Sequence, residues 1–239
     1  MKKILIIFGT RPEAIKMAPI VGELKNNKHF FDLRVCVTGQ HRQMLDQILK
    51  FFDIVPDYDL NLMKLSQDLT DITQGVLIGV REILKSWMPD TILVHGDTTT
   101  TFSASLAGFY EKIPVAHVEA GLRTGDMYSP WPEEVNRRLT SVIATSHFAP
   151  TESSKQNLLL EGVQEAAINV TGNTVIDALY TAVDKIHKSS DLQLMFQKQF
   201  AFFNKELKTI LVTGHRRENF ENGFENLCLA LQKISKRED

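Results

Sequence analysis

The residues best suited to chemistry fall in four short polar segments, each of which directly follows a run of apolar, β-branched residues. In an open α/β sheet the carboxyl ends of parallel strands share one edge, and ligands bind in the crevice at that edge. Segments placed there gather acids, bases and cations around one pocket. The four segments are 9–13 (GTRPE), 95–98 (HGDT), 117–123 (HVEAGLR) and 213–219 (TGHRREN).

The first segment opens a predicted helix, where unpaired N–H groups and the helix dipole favour an anion. Arg11 adds a planar guanidinium suited to phosphate oxygens, and Lys16 adds a point charge about one turn into the helix. This pattern predicts a phosphate site. The alternative is that Gly9 and Pro12 only make the turn while both cations are solvated. Neither G-x-G-x-x-G nor G-x-x-x-x-G-K-[ST] is present, which weighs against dinucleotide and ATP sites.

The second and third segments supply carboxylates. Asp97 is either the N-cap of the next helix or an acid–base group. Glu119 follows a strand too apolar to leave it on an exposed face, so its burial implies a partner or a task. The neighbouring His95 and His117 are interpreted as packed and hydrogen-bonded, and Glu134 as a residue that compensates the dipole of the next helix.

The fourth segment pairs His215, which titrates near neutrality, with Arg216 and Arg217 as donors for a diphosphate. The alternative is an exposed basic loop. Residue types and spacing alone therefore predict a site for a phosphorylated small molecule with several carboxylates nearby, and no particular reaction.

The elements that position these segments follow from hydrophobic periodicity. Short β-branched runs alternate with longer amphipathic ones, which predicts a Rossmann-like α/β fold with a parallel sheet flanked by helices. Strands are predicted at 3–8, 33–38, 91–95, 114–118, 146–149 and 168–170, and helices over 13–27, 41–51, 68–87, 99–110, 133–144 and 173–188.

We predict three regions: an N-terminal Rossmann-like domain (1–172), connecting helices and a linker (173–208), and the start of a second Rossmann-like domain (209–239). The last region opens with a strand at 209–213. Its roughly 30 residues supply about one βα unit of a domain that needs ~100 or more, so the second domain is expected to be incomplete. An unpaired sheet edge near 209–213 predicts disorder, domain swapping or dimer contacts after about residue 190, and we expect a homodimer.

Composition narrows the class of protein further. With 27 basic against 29 acidic residues, the formal charge of -2 gives no one-signed field for nucleic acid or an anionic membrane. Residues 4–8 are too short for a signal sequence, and no apolar run approaches the ~20 residues of a membrane span. Cys36 and Cys228 lie outside any metal-ligand or CxxC pattern and are interpreted as core residues. We expect a cytoplasmic protein.

Six strings, in fixed order and spacing from end to end of the chain, resemble the bacterial non-hydrolysing UDP-N-acetylglucosamine 2-epimerases. The strings are FGTRPE from Phe8, GQHR from Gly39, HGDT from His95, HVEAGLR from His117, SPWPEE from Ser129 and HRREN from His215. The resemblance implies a glycosyltransferase-B fold, in which two Rossmann-like domains enclose a cleft. It also implies interconversion of UDP-N-acetylglucosamine and UDP-N-acetylmannosamine by elimination of UDP and re-addition with inversion at C2, without a redox cofactor or a metal.

The resemblance also implies roles for individual residues. The carboxylates that transfer protons or steady an oxocarbenium-like intermediate are Asp97, Glu119 and Glu133, and which of them takes the C2 proton stays open. His215 is implied to be a catalytic residue and also to bind the phosphates, together with Arg11, Lys16 and Arg216. A second UDP-N-acetylglucosamine, acting as an allosteric activator, would contact Gln40, His41, Arg42 and Gln43, although a helix-cap role for Gln40 and His41 is the alternative.

Three other functions stay open. A glycosyltransferase-B sugar transferase would leave C2 unexchanged in heavy water, and a hydrolysing epimerase would release free N-acetylmannosamine. A phosphate-binding or subunit-contact domain would catalyse nothing. Members of the epimerase family are longer than this chain, so we expect these 239 residues alone to turn over little or no substrate, because half a cleft cannot position the sugar.

Overall fold

A computed structural model describes residues 1–39, 42–64, 66–204, 206–207, 209–212 and 222–236. The chain divides into two compact units, Met1–Lys188 and Ser189–Asp239. None of the helices in the described ranges combines the length and apolar character needed to cross a membrane.

The first unit is built on a seven-stranded parallel sheet with the strand order β3-β2-β1-β4-β5-β6-β7. The strands are β1 (Lys2–Phe8), β2 (Phe31–Val37), β3 (Tyr58–Asp59), β4 (Thr91–His95), β5 (Val115–Val118), β6 (Ser146–Ala149) and β7 (Ile168–Val170). The helices are α1 (Arg11–Asn26), α2 (Arg42–Phe51), α3 (Leu69–Trp87), α4 (Thr99–Tyr110), α5 (Glu133–Ile143), α6 (Glu152–Leu160) and α7 (Thr174–Lys188).

Strand β1 decides where a ligand site can form. It pairs with β2 on one side and with β4 on the other, so the direction in which the chain adds strands reverses at this point. The loops after β1 and β4 therefore leave the sheet in opposite directions and open a crevice at its carboxyl edge.

The side chains of β1 hold both layers of the core. Leu5 and Ile7 point into the apolar cluster that includes α3 and α4, while Ile6 and Phe8 point into the cluster that includes α1 and α2. All four side chains are buried, as the two-residue period of a strand covered on both faces requires. Each contributes roughly 1.5–3 kcal/mol of hydrophobic stabilisation, so the strand that opens the crevice is also firmly anchored.

The structure confirms the predicted Rossmann-like sheet, with strand positions within two residues of those expected. The two-residue β3 and helix α6 were not predicted. Hydrophobic periodicity does not reveal helix α6, because its apolar residues cluster at its C-terminal end rather than recurring along one face. The compact unit also runs past the predicted domain end at residue 172, because α7 packs along α1.

The second unit contains helices α8 (Ser190–Gln199) and α9 (Asn222–Ile234). The strand predicted at 209–213 is wrong for residues 209–212, which form no strand and pair with no other segment in the described ranges. A strand requires a hydrogen-bonded neighbour, and among the described residues none pairs with this segment. Cys36 is buried as expected, whereas Cys228 is exposed on α9, so its core assignment is wrong. The assignment of 209–239 to a second Rossmann-like domain stays a prediction.

Gly121, in the loop after β5, provides a test of this packing. Its φ is +89°, and a Cβ built there would lie 2.2 Å from the backbone oxygen of Ser154. We expect Gly121→Ala to lower the free energy of unfolding by about 2–4 kcal/mol, since left-handed strain adds to a clash with backbone that cannot rotate away. Urea denaturation measures this change.

The matched control is Gly125→Ala in the same loop. Gly125 also has a positive φ of +82°, but no atom lies within 4 Å of a Cβ built there. This variant should lose only about 1–2 kcal/mol from backbone strain. Equal losses in the two variants would contradict the close approach at Gly121.

Candidate active site

Three of the four polar segments leave the carboxyl ends of β1, β4 and β5, which are neighbours in the sheet. The structure brings Lys16, Asp97 and Glu119 together at this edge and places Glu133 at the start of α5, one turn before Arg137, which contacts Asp97. Arg11 is exposed at the start of α1, on the same edge. Cations and carboxylates from several loops thus meet at the carboxyl edge of the sheet, where the crevice is predicted.

Glu119 is the most tightly held of these side chains. The Nζ of Lys16 donates to its Oε1 at 2.7 Å and its Oε2 at 2.6 Å, and the Nδ2 of Asn173 donates to Oε2 at 2.9 Å. The Nε2 of His95 lies 3.8 Å from the same oxygen. The side chain is only 11% exposed. Lys16 and Asn173 therefore fix both the position and the charge environment of this carboxylate.

The backbone of Glu119 is also unusual. Its φ is +64°, in the left-handed region that non-glycine residues avoid at a cost of about 1–3 kcal/mol. The residue directly follows β5, and the turn directs its side chain back over the strand ends toward Lys16 on α1. Such strain persists only where the surrounding contacts impose it, and it is concentrated at functional sites.

Asp97 forms a second charged pair, with Arg137 of α5. Burial raises the pKa of Asp97 above its usual value, while the Arg137 guanidinium opposes this shift. The cap of α4 is Thr98, whose side chain accepts from the backbone N–H of Thr101, so the capping interpretation of Asp97 is wrong. Asp97 instead lies one residue before the cap, where it meets Arg137 and is left as a paired carboxylate with an elevated pKa.

Glu134 builds the loop between β5 and α5. Its side chain is fully buried and accepts from the backbone N–H of Thr124 at 3.1 Å and of Gly125 at 3.3 Å, and it lies 3.3 Å from the Nη1 of Arg137. The expectation that Glu134 only compensates a helix dipole is therefore wrong. It anchors the loop and also helps to orient the arginine that pairs with Asp97.

Glu13 performs a similar structural task between β1 and β4. Its Oε2 accepts from the N–H groups of Gly9 at 2.9 Å and Thr10 at 2.7 Å, and its Oε1 accepts from the hydroxyls of Thr98 at 2.8 Å and Thr101 at 3.2 Å. Burial raises its pKa despite these hydrogen bonds.

This arrangement occupies two of the N–H groups near the start of α1, where an anion site is predicted. The N–H groups of Gly9 and Thr10 are occupied by Glu13 and are not free for phosphate. The signal was present in the sequence as a capping box, in which Thr10 is followed three residues later by glutamate. Of the two cations predicted for phosphate, Lys16 is paired with Glu119, and Arg11 is exposed at the start of α1.

Two buried histidines lie beneath these carboxylates. The ring of His117 hydrogen-bonds through Nε2 to the oxygen of Gly96 at 2.7 Å, as its packed interpretation requires. His95 is buried, as predicted. Neither of its ring nitrogens has a hydrogen bond within the described ranges, so the predicted hydrogen bonding is not found there. Burial is the main cause that lowers the pKa of both residues to about 3, with the charge of Lys16 contributing at His95. Both rings are therefore neutral near pH 7.

Several predicted site residues lie outside the described part of the chain. His215, Arg216, Gln40 and His41 are not described, and the same holds for the side chain of Arg42. Gln43 is exposed on α2. Among the residues that are described, no three His, Cys, Asp or Glu side chains are grouped to hold a metal ion.

The comparisons with known proteins define first a class of fold and then a family. The chain shares its fold with a lipopolysaccharide outer core galactosyltransferase, at a TM-score of 0.53 and 13% identity over 72% of this chain and 46% of that one, which places it among the glycosyltransferase-B folds. The family model of UDP-N-acetylglucosamine 2-epimerase matches residues 23–239. The chain belongs to this family.

Individual relatives agree with this assignment. A UDP-N-acetylglucosamine 2-epimerase from Yersinia pestis is 59% identical over 98% of this chain and 62% of its own length. The crystal structure of UDP-GlcNAc 2-epimerase from Neisseria meningitidis bound to UDP-GlcNAc has a TM-score of 0.92 and 52% identity over 99% of this chain and 63% of that one. The chain thus spans less than two thirds of the length of these relatives.

The buried histidines predict how stability depends on pH. Since unfolded histidine binds a proton below about pH 6.5 and folded His117 does so only near 3, the unfolded state is favoured as the pH falls through this window. We expect His117→Asn to make the pH dependence of the free energy of unfolding shallower by about 1.4 kcal/mol per pH unit. Urea titrations between pH 6 and 4.5 measure it, and parallel curves for parent and variant would contradict the neutral buried ring.

Proposed function

We propose that the crevice is the active site of a non-hydrolysing UDP-N-acetylglucosamine 2-epimerase. This enzyme interconverts UDP-N-acetylglucosamine and UDP-N-acetylmannosamine by elimination of UDP and re-addition. The observation that carries this proposal is the convergence of two differently held carboxylates, Glu119 with Lys16 and Asp97 with Arg137, at the carboxyl edge of the sheet. Relatives that are 52–59% identical to the chain and carry this name support it.

The two environments suit two tasks in this reaction. Inversion at C2 requires a proton to leave one face and return on the other, and the departing diphosphate and the cationic sugar must be stabilised. Asp97, whose pKa is raised by burial, suits proton transfer because it can exist in either protonation state nearer neutrality. Glu119, clamped by Lys16 and Asn173, suits electrostatic stabilisation of the oxocarbenium-like intermediate. Glu133, on the helix that carries Arg137, is the third carboxylate available for proton transfer.

We assign the phosphates to Arg11, which is exposed at the start of α1, together with His215 and Arg216. Lys16 contributes positive potential from its place beside Glu119. We propose no redox cofactor, because elimination and re-addition leave the oxidation state of the substrate unchanged overall. We propose no metal, because charged side chains serve the leaving diphosphate. The proposal also includes a homodimer, a cytoplasmic location and a second, activating UDP-N-acetylglucosamine near residues 40–43.

The described chain should be a poor catalyst alone. We expect these 239 residues by themselves to convert little or no UDP-N-acetylglucosamine, because they match only 62% of the length of the Yersinia pestis relative and half a cleft cannot position the sugar. Nuclear magnetic resonance of substrate incubated with the purified chain measures this. Rapid formation of UDP-N-acetylmannosamine would contradict it.

A chimaera tests the reaction itself. We join this chain to the remaining carboxyl-terminal part of the Yersinia pestis relative, which extends beyond the 62% that the chain covers. The expected product is UDP-N-acetylmannosamine, with deuterium at C2 when the reaction runs in heavy water. Free N-acetylmannosamine would instead indicate a hydrolysing enzyme, and transfer of the sugar to an acceptor without C2 exchange would indicate a transferase. Light scattering of the chimaera reports its oligomeric state.

In this chimaera we expect Glu119→Gln to lower kcat by about 10²–10⁴-fold, since the substitution removes a charge that faces the reacting sugar. The matched control is Glu161→Gln. Like Glu119 with Lys16, Glu161 accepts from a single cation through both of its oxygens, in this case Arg123 at 2.7 and 2.8 Å, but it lies at the end of α6, away from the carboxyl edge of the sheet. Its variant should keep near-parent turnover. Similar losses in both would show that the effect comes from a broken ion pair rather than from the site.

A further inference from the structure

We propose that Asn173 is a positioning residue that sets the orientation of the Glu119 carboxylate for the reaction. This inference rests on the proposed epimerase function. Asn173 precedes α7 and was not among the candidate residues of the sequence. Its Nδ2 donates to the Oε2 of Glu119 at 2.9 Å, across 54 residues of chain.

The second hydrogen bond of Asn173 fixes which way its amide faces. Its Oδ1 accepts from the backbone N–H of Val175 in the first turn of α7, at 3.0 Å. Since the amide oxygen is occupied by a donor, the amino group must point toward Glu119. The start of α7 therefore determines a donor direction at the active site.

The location of Asn173 is itself rigid. Gly172, with a φ of +81°, makes the turn between β7 and α7, and the N–H of Thr171 is bonded to the oxygen of Ala149 in the sheet. Helix α7 then packs along α1, which carries Lys16. Lys16, on α1, and Asn173, directly before α7, therefore reach the same carboxylate from two helices that pack together.

Lys16 and Asn173 supply different things to Glu119. The ammonium of Lys16 is a compact charge on a flexible stem and contacts both carboxylate oxygens, so it attracts the group but restricts its rotation weakly. The amide of Asn173 is planar, is fixed at its other end and bonds to one oxygen only. It therefore determines which oxygen of Glu119 remains available to the sugar. The backbone of Glu119 is in the left-handed region, a conformation that persists only where surrounding contacts such as these impose it.

Asn173→Asp is the sharpest variant. It keeps an acceptor for the N–H of Val175 but replaces the donor with an oxygen that repels Glu119. Asn173→Ser is the second variant, since serine can still cap a helix but cannot reach the carboxylate. The matched control is Asn157→Asp, because the Nδ2 of Asn157 also donates at 2.9 Å to an oxygen of the same loop, that of Gly121, without touching Glu119.

Two measurements decide the proposal. In crystal structures of the 239-residue chain, we expect both Asn173 variants to displace the Glu119 carboxylate by about 1 Å, a shift large enough to cost roughly 10²-fold in rate. In the chimaera, we expect kcat to fall about 10²-fold while KM for UDP-N-acetylglucosamine is unchanged, the pattern of an interaction made in the transition state. The Asn157 variant should leave both the carboxylate and kcat near their parent values.

An unmoved Glu119 in both Asn173 variants would overturn the proposal, as would an equal loss of kcat in the Asn157 variant. A parent chimaera without epimerase activity would contradict the proposed function instead. The crystallographic comparison would then still decide whether Asn173 positions Glu119, so the two failures are distinguishable.

Discussion

The ion pair between Lys16 and Glu119 is the contact on which the site depends. Lys16 belongs to the helix after β1 and Glu119 to the turn after β5, and 103 residues separate them. They meet because β4 lies between β1 and β5 in a sheet whose strands all run in the same direction. A strand order that moved β5 away from β1 would separate the two charges and leave a partly buried glutamate, with a strained backbone, without its cation. The pair therefore depends on the strand order of the sheet, and it also supplies two of the charged groups of the site.

Two further glutamates support the loops of the site rather than lining it. Glu13 joins the loops after β1 and β4, and Glu134 joins the loop after β5 to α5. Each is almost completely buried and satisfies two backbone N–H groups, which would otherwise lack partners. The glutamates thus have two different roles. Those that hold loops are buried and accept from backbone N–H groups, whereas Glu119 accepts from side chains.

The described residues of the first unit supply part of the groups that the proposed site requires. They supply the carboxylates and the cations that neutralise them, whereas the histidine and arginine assigned to the phosphates belong to residues 213–219, outside the described ranges. The relatives extend well beyond the length that this chain covers. A nucleotide sugar must be held both at its reacting centre and at its phosphates. For this reason the proposed activity is tested in the chimaera, which extends over the length of the relatives.

The sequence by itself determined the fold of the first unit and the edge at which the site lies, because alternation of strands and helices and the polar segments after the strands are local patterns. It also contained the capping box of Glu13. Only the tertiary structure showed that Arg137 pairs with Asp97 and Asn173 with Glu119, since these partners lie 40 and 54 residues apart and no periodicity links them. It likewise decided that Thr98 rather than Asp97 caps α4, and that residues 209–212 form no strand within the described ranges. A cap or a strand depends on which groups are near it in space, and that proximity is set by packing rather than by neighbours in the chain.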